Sequence, residues 1–190
     1  SGHCLSVPSV TYEGKTYNTV QIGNQCWLKE NLDVGTMIDV KQNPSNNGTI
    51  EKYCYNNDPN NCNTYGGLYQ WNEAMAYSKS PGTKGICPSG WHIPTKAEFE
   101  ILIVAVNNNS VPLKAIGQGA STGAGTNKSG FSALLSGFRY DYSSFGYLGD
   151  MAHFWSSPEY YALYLHGSTN GIVMENYVND AGYSVRCLKD

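Results

Sequence analysis

The chain has 190 residues, of which 14% are charged and 13% aromatic, with 21 glycines, 15 tyrosines and a formal net charge of −3. That length fits a single domain over residues 1–190, able to bury a core yet rich in loop. The charge offers no basic face for nucleic acid, and no apolar run approaches the length of a bilayer-spanning helix.

Ser1-Gly2-His3 carries no signal-peptide pattern, so a mature or trimmed chain is expected, with residues 1–9 as an N-terminal extension. Val10 to Ile22 reads as a hairpin: a short strand, a Glu13-Gly14 turn, then alternating apolar positions from Tyr17 to Ile22. Gly23-Asn24 turns the chain and Cys26-Trp27-Leu28 continues as strand. Gly35 to Thr64 is rich in Asn and poor in long apolar runs, which predicts loop with a short strand near Ile50–Tyr55. Leu68, Trp71, Ala74 and Met75 fall at helical spacing and predict a first helix over Tyr69–Tyr77. Thr95 followed by Glu98 is a capping box, with Pro94 keeping the approach extended. Phe99, Ile101, Leu102 and Ala105 then give a second helix, Thr95 to about Val106, with one buried face. Residues 107–129 read as a long loop. Short apolar runs at Phe138–Tyr140, Phe154–Ser156, Tyr161–Leu165, Gly171–Met174 and Tyr183–Cys187 predict a meander. Two helices followed by antiparallel strands, the first and last strands paired, make an α+β plan.

Six pieces occur in order: Tyr17–Leu32, Tyr65–Ala74, Cys87–Thr95, Ser129–Leu134, Phe154–Glu159 and Gly182–Cys187. Together they resemble the Fibrobacter succinogenes major paralogous domain, a family of bacterial surface and secreted modules, from about Val10 to Asp190. Pro94-Thr95, Glu98-Phe99 and the closing Gly182–Arg186 also resemble, more loosely, the formylglycine-generating branch of C-type-lectin-like folds. The resemblance implies a C-type-lectin-like fold, with two helices packed on small antiparallel sheets, much loop and disulfide staples. It also implies an extracytoplasmic location, secreted or at the cell surface.

Cys4, Cys26, Cys54, Cys62, Cys87 and Cys187 are even in number and dispersed, the usage of an oxidising compartment. Fifteen full pairings exist, and spacing does not choose among them. The analogous bridge of C-type-lectin-like domains implies Cys87–Cys187. Cys54–Cys62, closing a short loop, and Cys4–Cys26, stapling the N-terminus, complete the preferred set. No Cys-x-x-Cys is present, so zinc is disfavoured. Asp58 and Asp150 stand largely alone, so no calcium site is expected. His92 sits in a structural motif where a fixed internal hydrogen bond is expected. No nucleophile elbow, zinc-protease helix or phosphate loop occurs. Formylglycine-generating enzymes need a reactive cysteine pair near the C-terminus, where only Cys187 stands. A non-enzyme without cofactor is therefore expected.

Eight of the fifteen tyrosines lie between Arg139 and Cys187. Tyrosine with Ser, Gly and Asn is the composition of antibody paratopes, rigid area beside adaptable hydrogen bonding. Strand packing accounts for Tyr183 and serves for Tyr164; Tyr140, Tyr142, Tyr147 and Tyr160 fall in loop-like sequence. The family resemblance implies a further device, because its relatives include targets of diversity-generating retroelements. Residues 139–181 form the candidate variable region. Its candidate ligand-binding residues are Tyr140, Asp141, Tyr142, Tyr147, Asp150, His153, Tyr160, Tyr161, Tyr164 and His166, with Gly146 a further changeable type. Met151 does not fit adenine-directed change, and a paralogue that is never diversified carries a similar pattern. The expected function is recognition of a protein or glycan through a tyrosine-rich C-terminal surface. A structural or adhesive unit of an envelope or pilus assembly, and an enzyme of the formylglycine-generating type, are the alternatives. Trp27, Trp71, Trp91 and Trp155 are expected as buried scaffold. Tyr140, Tyr142, Tyr147, Tyr160 and Tyr161 are expected on one exposed surface with Asp150 and His153.

Overall fold

The structure, a computed structural model, describes residues 2–140 and 144–190. It opens with the expected hairpin, β1 (Ser9–Tyr12) and β2 (Lys15–Ile22). Both turn residues, Glu13 and Gly14, have positive φ (48° and 78°), the conformation that matches the right-handed twist of the flanking strands. There follow β3 (Gln25–Leu28), the short parallel pair β4 (Thr36–Met37) and β5 (Glu51–Lys52), then α1 (Pro59–Tyr65) and α2 (Trp71–Ala74). β6 (Trp91–His92) leads into α3 (Lys96–Ala105). The C-terminal half supplies β7 (Ser136–Arg139), β8 (Phe145–Leu148), β9 (Met151–Trp155), β10 (Tyr161–His166), β11 (Ile172–Asn176) and β12 (Leu188–Lys189).

The α+β plan holds, with three α-helices among the described residues rather than two. A five-stranded sheet runs β1-β2-β3-β12-β6, a three-stranded sheet β11-β10-β9, and β7-β8 form a ribbon; the pairings within all three are antiparallel. The last strand pairs with β3 and β6, not with the first, because β1 forms the sheet's outer edge. Tyr183–Cys187 is not a regular strand. It makes single bridges at Tyr69↔Tyr183 and Phe154↔Ser184 and is buried throughout, wedged between sheets.

The capping box is formed in full: Thr95 Oγ1 accepts from Glu98 N, and Thr95 N donates to a Glu98 carboxylate oxygen at 2.7 Å. One core cluster gathers Tyr69, Trp71, Trp91, Trp155, Tyr183 and Val185, and another Trp27, Phe99, Leu102, Phe131, Phe154, Leu163 and Leu165. All four tryptophans are buried. Arg186, fully buried, stands over the Phe131 ring and donates to Asn31 Oδ1 and to the carbonyls of Leu28 and Phe131. Three disulfides join Cys4 to Cys26, Cys54 to Cys62 and Cys87 to Cys187, the preferred set.

Candidate functional site

Strand periodicity sorts the three-stranded sheet into two faces. Ala152, Phe154, Leu163 and Leu165 point into the core, on the side where α3 packs. Opposite them the register aligns His153 with Tyr164 and Tyr164 with Val173, and Trp155 with Ala162 and Ala162 with Glu175. This second face is covered in part by the β7-β8 ribbon and by Tyr183. Gly137 keeps the ribbon close: its φ is +61°, and a Cβ there would meet the Gly146 carbonyl.

The covering is aromatic and continuous. Tyr183 and Tyr164 sandwich the His153 ring, stacked at 4.5 Å and 4.9 Å. Phe138 and Tyr177 meet the same ring edge-on at 4.8 Å and 5.0 Å. Tyr147 lies flat over Phe138, with 5.4 Å between centroids and 11° between planes, and Tyr140 closes on both edgewise. Tyr140 and Tyr147 remain 47% and 50% exposed. Tyr147 holds a φ of +64°, a left-handed conformation costly for a bulky residue.

The sequence-predicted residues separate accordingly. Tyr140, Tyr147, Asp150, Tyr164 and His166 come together on this face. His166 Nδ1 accepts from Ser168 N at 3.1 Å and lies 3.9 Å from Asp150. Asp141 and Tyr142 lie outside the described residues. His153 is a correction: only 3% exposed, it is the centre of the aromatic box rather than part of a surface, and its Nδ1 has no hydrogen-bond partner. Burial without a partner pushes its pKa down to about 3, so the ring is neutral. Tyr161 is a second correction, because it alternates to the other side of the sheet, where the Lys96 ammonium of α3 sits 4.3 Å from its ring. Tyr160 turns toward α2 and meets Trp71 edge-on at 4.7 Å, beside Glu159 and Asn176. Gly146 sits under the Tyr140 ring, which any side chain there would displace.

Sequence reasoning missed Phe138, Val173, Glu175 and Tyr177 as members of the face. Alternation along β11 carried the signal for Val173 and Glu175. Glu175 accepts from the Tyr177 hydroxyl at 2.7 Å, and burial with that bond raises the phenol. Tyr140, Tyr147, Leu148, Val173 and Val178 are five of the ten exposed large apolar side chains among the described residues. A cleft of about 420 Å³ lined by Lys15, Asn31, Tyr65 and Arg186 shares no residue with this face. No group of three His, Cys, Asp or Glu among the described residues is placed to hold a metal ion, and no helix there is long and apolar enough to cross a membrane.

An α+β fold with much loop, closed by three disulfides and carrying an aromatic face on its C-terminal sheet, is the make-up of a module from an oxidising, non-cytoplasmic compartment. The chain belongs to the Fibrobacter succinogenes major domain family, whose model matches residues 20–189. No curated protein and no solved structure matches it.

Proposed function

We propose that this chain is a secreted or surface-displayed binding module of C-type-lectin-like fold that recognises a protein or glycan through its C-terminal aromatic face. The observation that carries the reading is the contrast within that face. Exposed Tyr140 and Tyr147 ride on Phe138, which packs on the stacked His153 ring, and exposed Val173 lies beside Tyr164. Exposed apolar surface of this kind is the mark of an interaction site. The left-handed Tyr147 adds to it, since backbone strain concentrates at ligand-contacting positions. A lectin-like fold is supported by the Cys87–Cys187 bridge from the approach to α3 to the end of the chain. A binding role is favoured over formylglycine-type catalysis because all six cysteines are paired.

Retroelement diversification would act on this same face. The buried His153 and the inward Tyr161 leave its changeable set, and Tyr140, Tyr147, Asp150, Tyr164 and His166 stay. A reverse transcriptase and an adenine-differing repeat beside the gene would establish it. An undiversified adhesive unit would lack both.

The test is binding to arrayed glycans and displayed peptides by the native protein and by Tyr140→Ala and Tyr147→Asn. Loss of the Tyr147 stack costs about 0.5–1.5 kcal/mol, and asparagine relieves part of the left-handed strain. Both variants should therefore melt close to the native protein yet lose the signal. Variants that bind as the native protein does would move recognition off this face.

A further inference from the structure

Between Tyr140 and Val185 the chain carries Asp141, Asp150, Glu159, Glu175 and Asp180 and no lysine or arginine. That segment has a formal charge of −5 in a chain of −3, so the remainder is net positive by 2. The two arginines that bracket it are buried, and neither guanidinium reaches the surface of this face. Arg139 is fully buried, with its guanidinium 4.4 Å from the Tyr53 ring and bonds to the Val40 and Asp180 carbonyls. Arg186 is fully buried and spent on Asn31, Leu28 and Phe131.

Within this acidic segment two phenol rings lie flat on the surface. Tyr164 stacks on His153 by its inner side, and Tyr147 on Phe138, so each turns its other side outward. Glu175 lies on the same side of β11 as Val173, the cross-strand partner of Tyr164, and Asp150 lies 3.9 Å from His166, whose ring is 6.1 Å from that of Tyr164, so both carboxylates flank that ring. The face of an aromatic ring is the negative pole of its quadrupole and attracts a cation. The fold uses the same attraction internally, with Lys96 over Tyr161 and Lys15 over Tyr17. Among the described residues, no lysine or arginine of the chain stands over Tyr147 or Tyr164.

We propose that the face takes a lysine or arginine side chain of a partner protein, seated over Tyr147 and Tyr164 between Asp150 and Glu175. The proposal rests on reading this face as the binding surface and fixes the chemistry of its partner. A neutral glycan would stack on the rings and leave the carboxylates without a counter-charge; an acidic one would be repelled. A basic protein segment satisfies rings and carboxylates together and is steered to them by the segment's field.

The experiment is selection of peptides from a random displayed library on the intact, disulfide-bonded chain. The selected peptides should contain lysine or arginine, and replacing that residue by norleucine should weaken binding about tenfold. Raising salt from about 50 mM to about 500 mM should weaken it comparably, since the screening length falls several-fold. Asp150→Asn and Glu175→Gln should each lower affinity several-fold, and so should Tyr147→Asn, which leaves the charge unchanged. Peptides that need Tyr147 but carry no cation would keep the binding face and overturn the cation. Basic peptides indifferent to Tyr147→Asn would reduce the effect to diffuse attraction and overturn it too. A library that yields no Tyr147-dependent binder would overturn the basic partner, and the loss of any Tyr147-dependent signal on arrayed glycans as well would overturn the binding face.

Discussion

His92 links the start of α3 to the end of the chain: its Nε2 lies 3.0 Å from Glu98 and its Nδ1 2.7 Å from Asp190. Hydrogen bonding to Glu98 raises its pKa above 6.5, against the opposing effect of burial and with the help of Asp190. Burial would raise Glu98, but His92 and Thr95 outweigh it and hold the carboxyl below 4.5. The protonated imidazole is favoured in the folded state, so its contribution is full below pH 6.5 and lost as pH rises through the raised pKa. The Glu98 contribution is full above pH 4.5 and lost as pH falls through the lowered one. His92→Gln should therefore cost more at pH 5.5 than at pH 8.5, by a few tenths to about 1 kcal/mol as for partly exposed ion pairs. Melting curves at the two values decide it, and an equal loss at both would remove the ion pair. His153 works the other way. Its folded pKa of about 3 against an ordinary 6.5 gives stability that is full above pH 6.5 and lost as pH falls toward 3. The loss is on the order of a few kcal/mol. His153→Phe should flatten that acid limb, and an unchanged limb would assign acid sensitivity elsewhere. The internal bond of His92 was legible because it sits three residues before the capping-box threonine. The burial of His153 was not. Met151-Ala-His-Phe-Trp155 is apolar on both parities apart from His153, and the sequence carries no sign of the ribbon that covers the second face.

At the scale of elements, the local hydrogen-bonding signals were legible and the tertiary ones were not. Thr95 and Glu98 set the start of α3 because an N-cap is a contact between near neighbours; Thr95→Ala should cost about 1 kcal/mol, read as a lower melting temperature. An unchanged melting point would mean that His92 holds Glu98 without the cap. α1 carries the same kind of signal, since Asp58 caps it through the Asn60 amide and Pro59 takes its first position. It was read as loop because only Cys62 of its seven residues is buried, which leaves no apolar periodicity to detect. α2 stops at Ala74, short of Tyr77, for a tertiary reason. The Ala74 carbonyl is taken by Ile86 N, and Ala76 and Tyr77 turn left-handed at φ 49° and 61°. Tyr161 was misplaced by one step of parity. Its neighbour Tyr160 ends the turn and faces α2, and counting outward from a loop does not say which of two adjacent tyrosines the first strand position holds.

Across the whole molecule the disulfides divide by the length of chain they close. Cys54–Cys62 spans 8 residues and ties the approach of α1 to the middle of that helix, whereas Cys87–Cys187 spans 100 and ties the approach of α3 to the segment that packs Tyr183 and Val185 into the core. The even count made full oxidation legible. The long pairing was implied by resemblance, because spacing alone cannot bring residues 100 apart together. In the chain-entropy model, cross-linking restricts the unfolded chain more as the loop lengthens, giving about 2.5 kcal/mol for the short bridge and about 4.7 kcal/mol for the long one. Removing Cys87 and Cys187 together as serines should therefore lower the melting temperature more than removing Cys54 and Cys62. The long-bridge variant should also loosen the aromatic face, since Tyr183 stacks directly on His153 and packs at a tilt against Trp155 at 4.3 Å. The check is denaturant unfolding of both double variants, with binding measured on whatever fraction stays folded. If the short-bridge variant proves the weaker, α1 and its neighbours carry more of the native enthalpy than chain entropy allows, and the long bridge would be a staple on a fold already closed by β12.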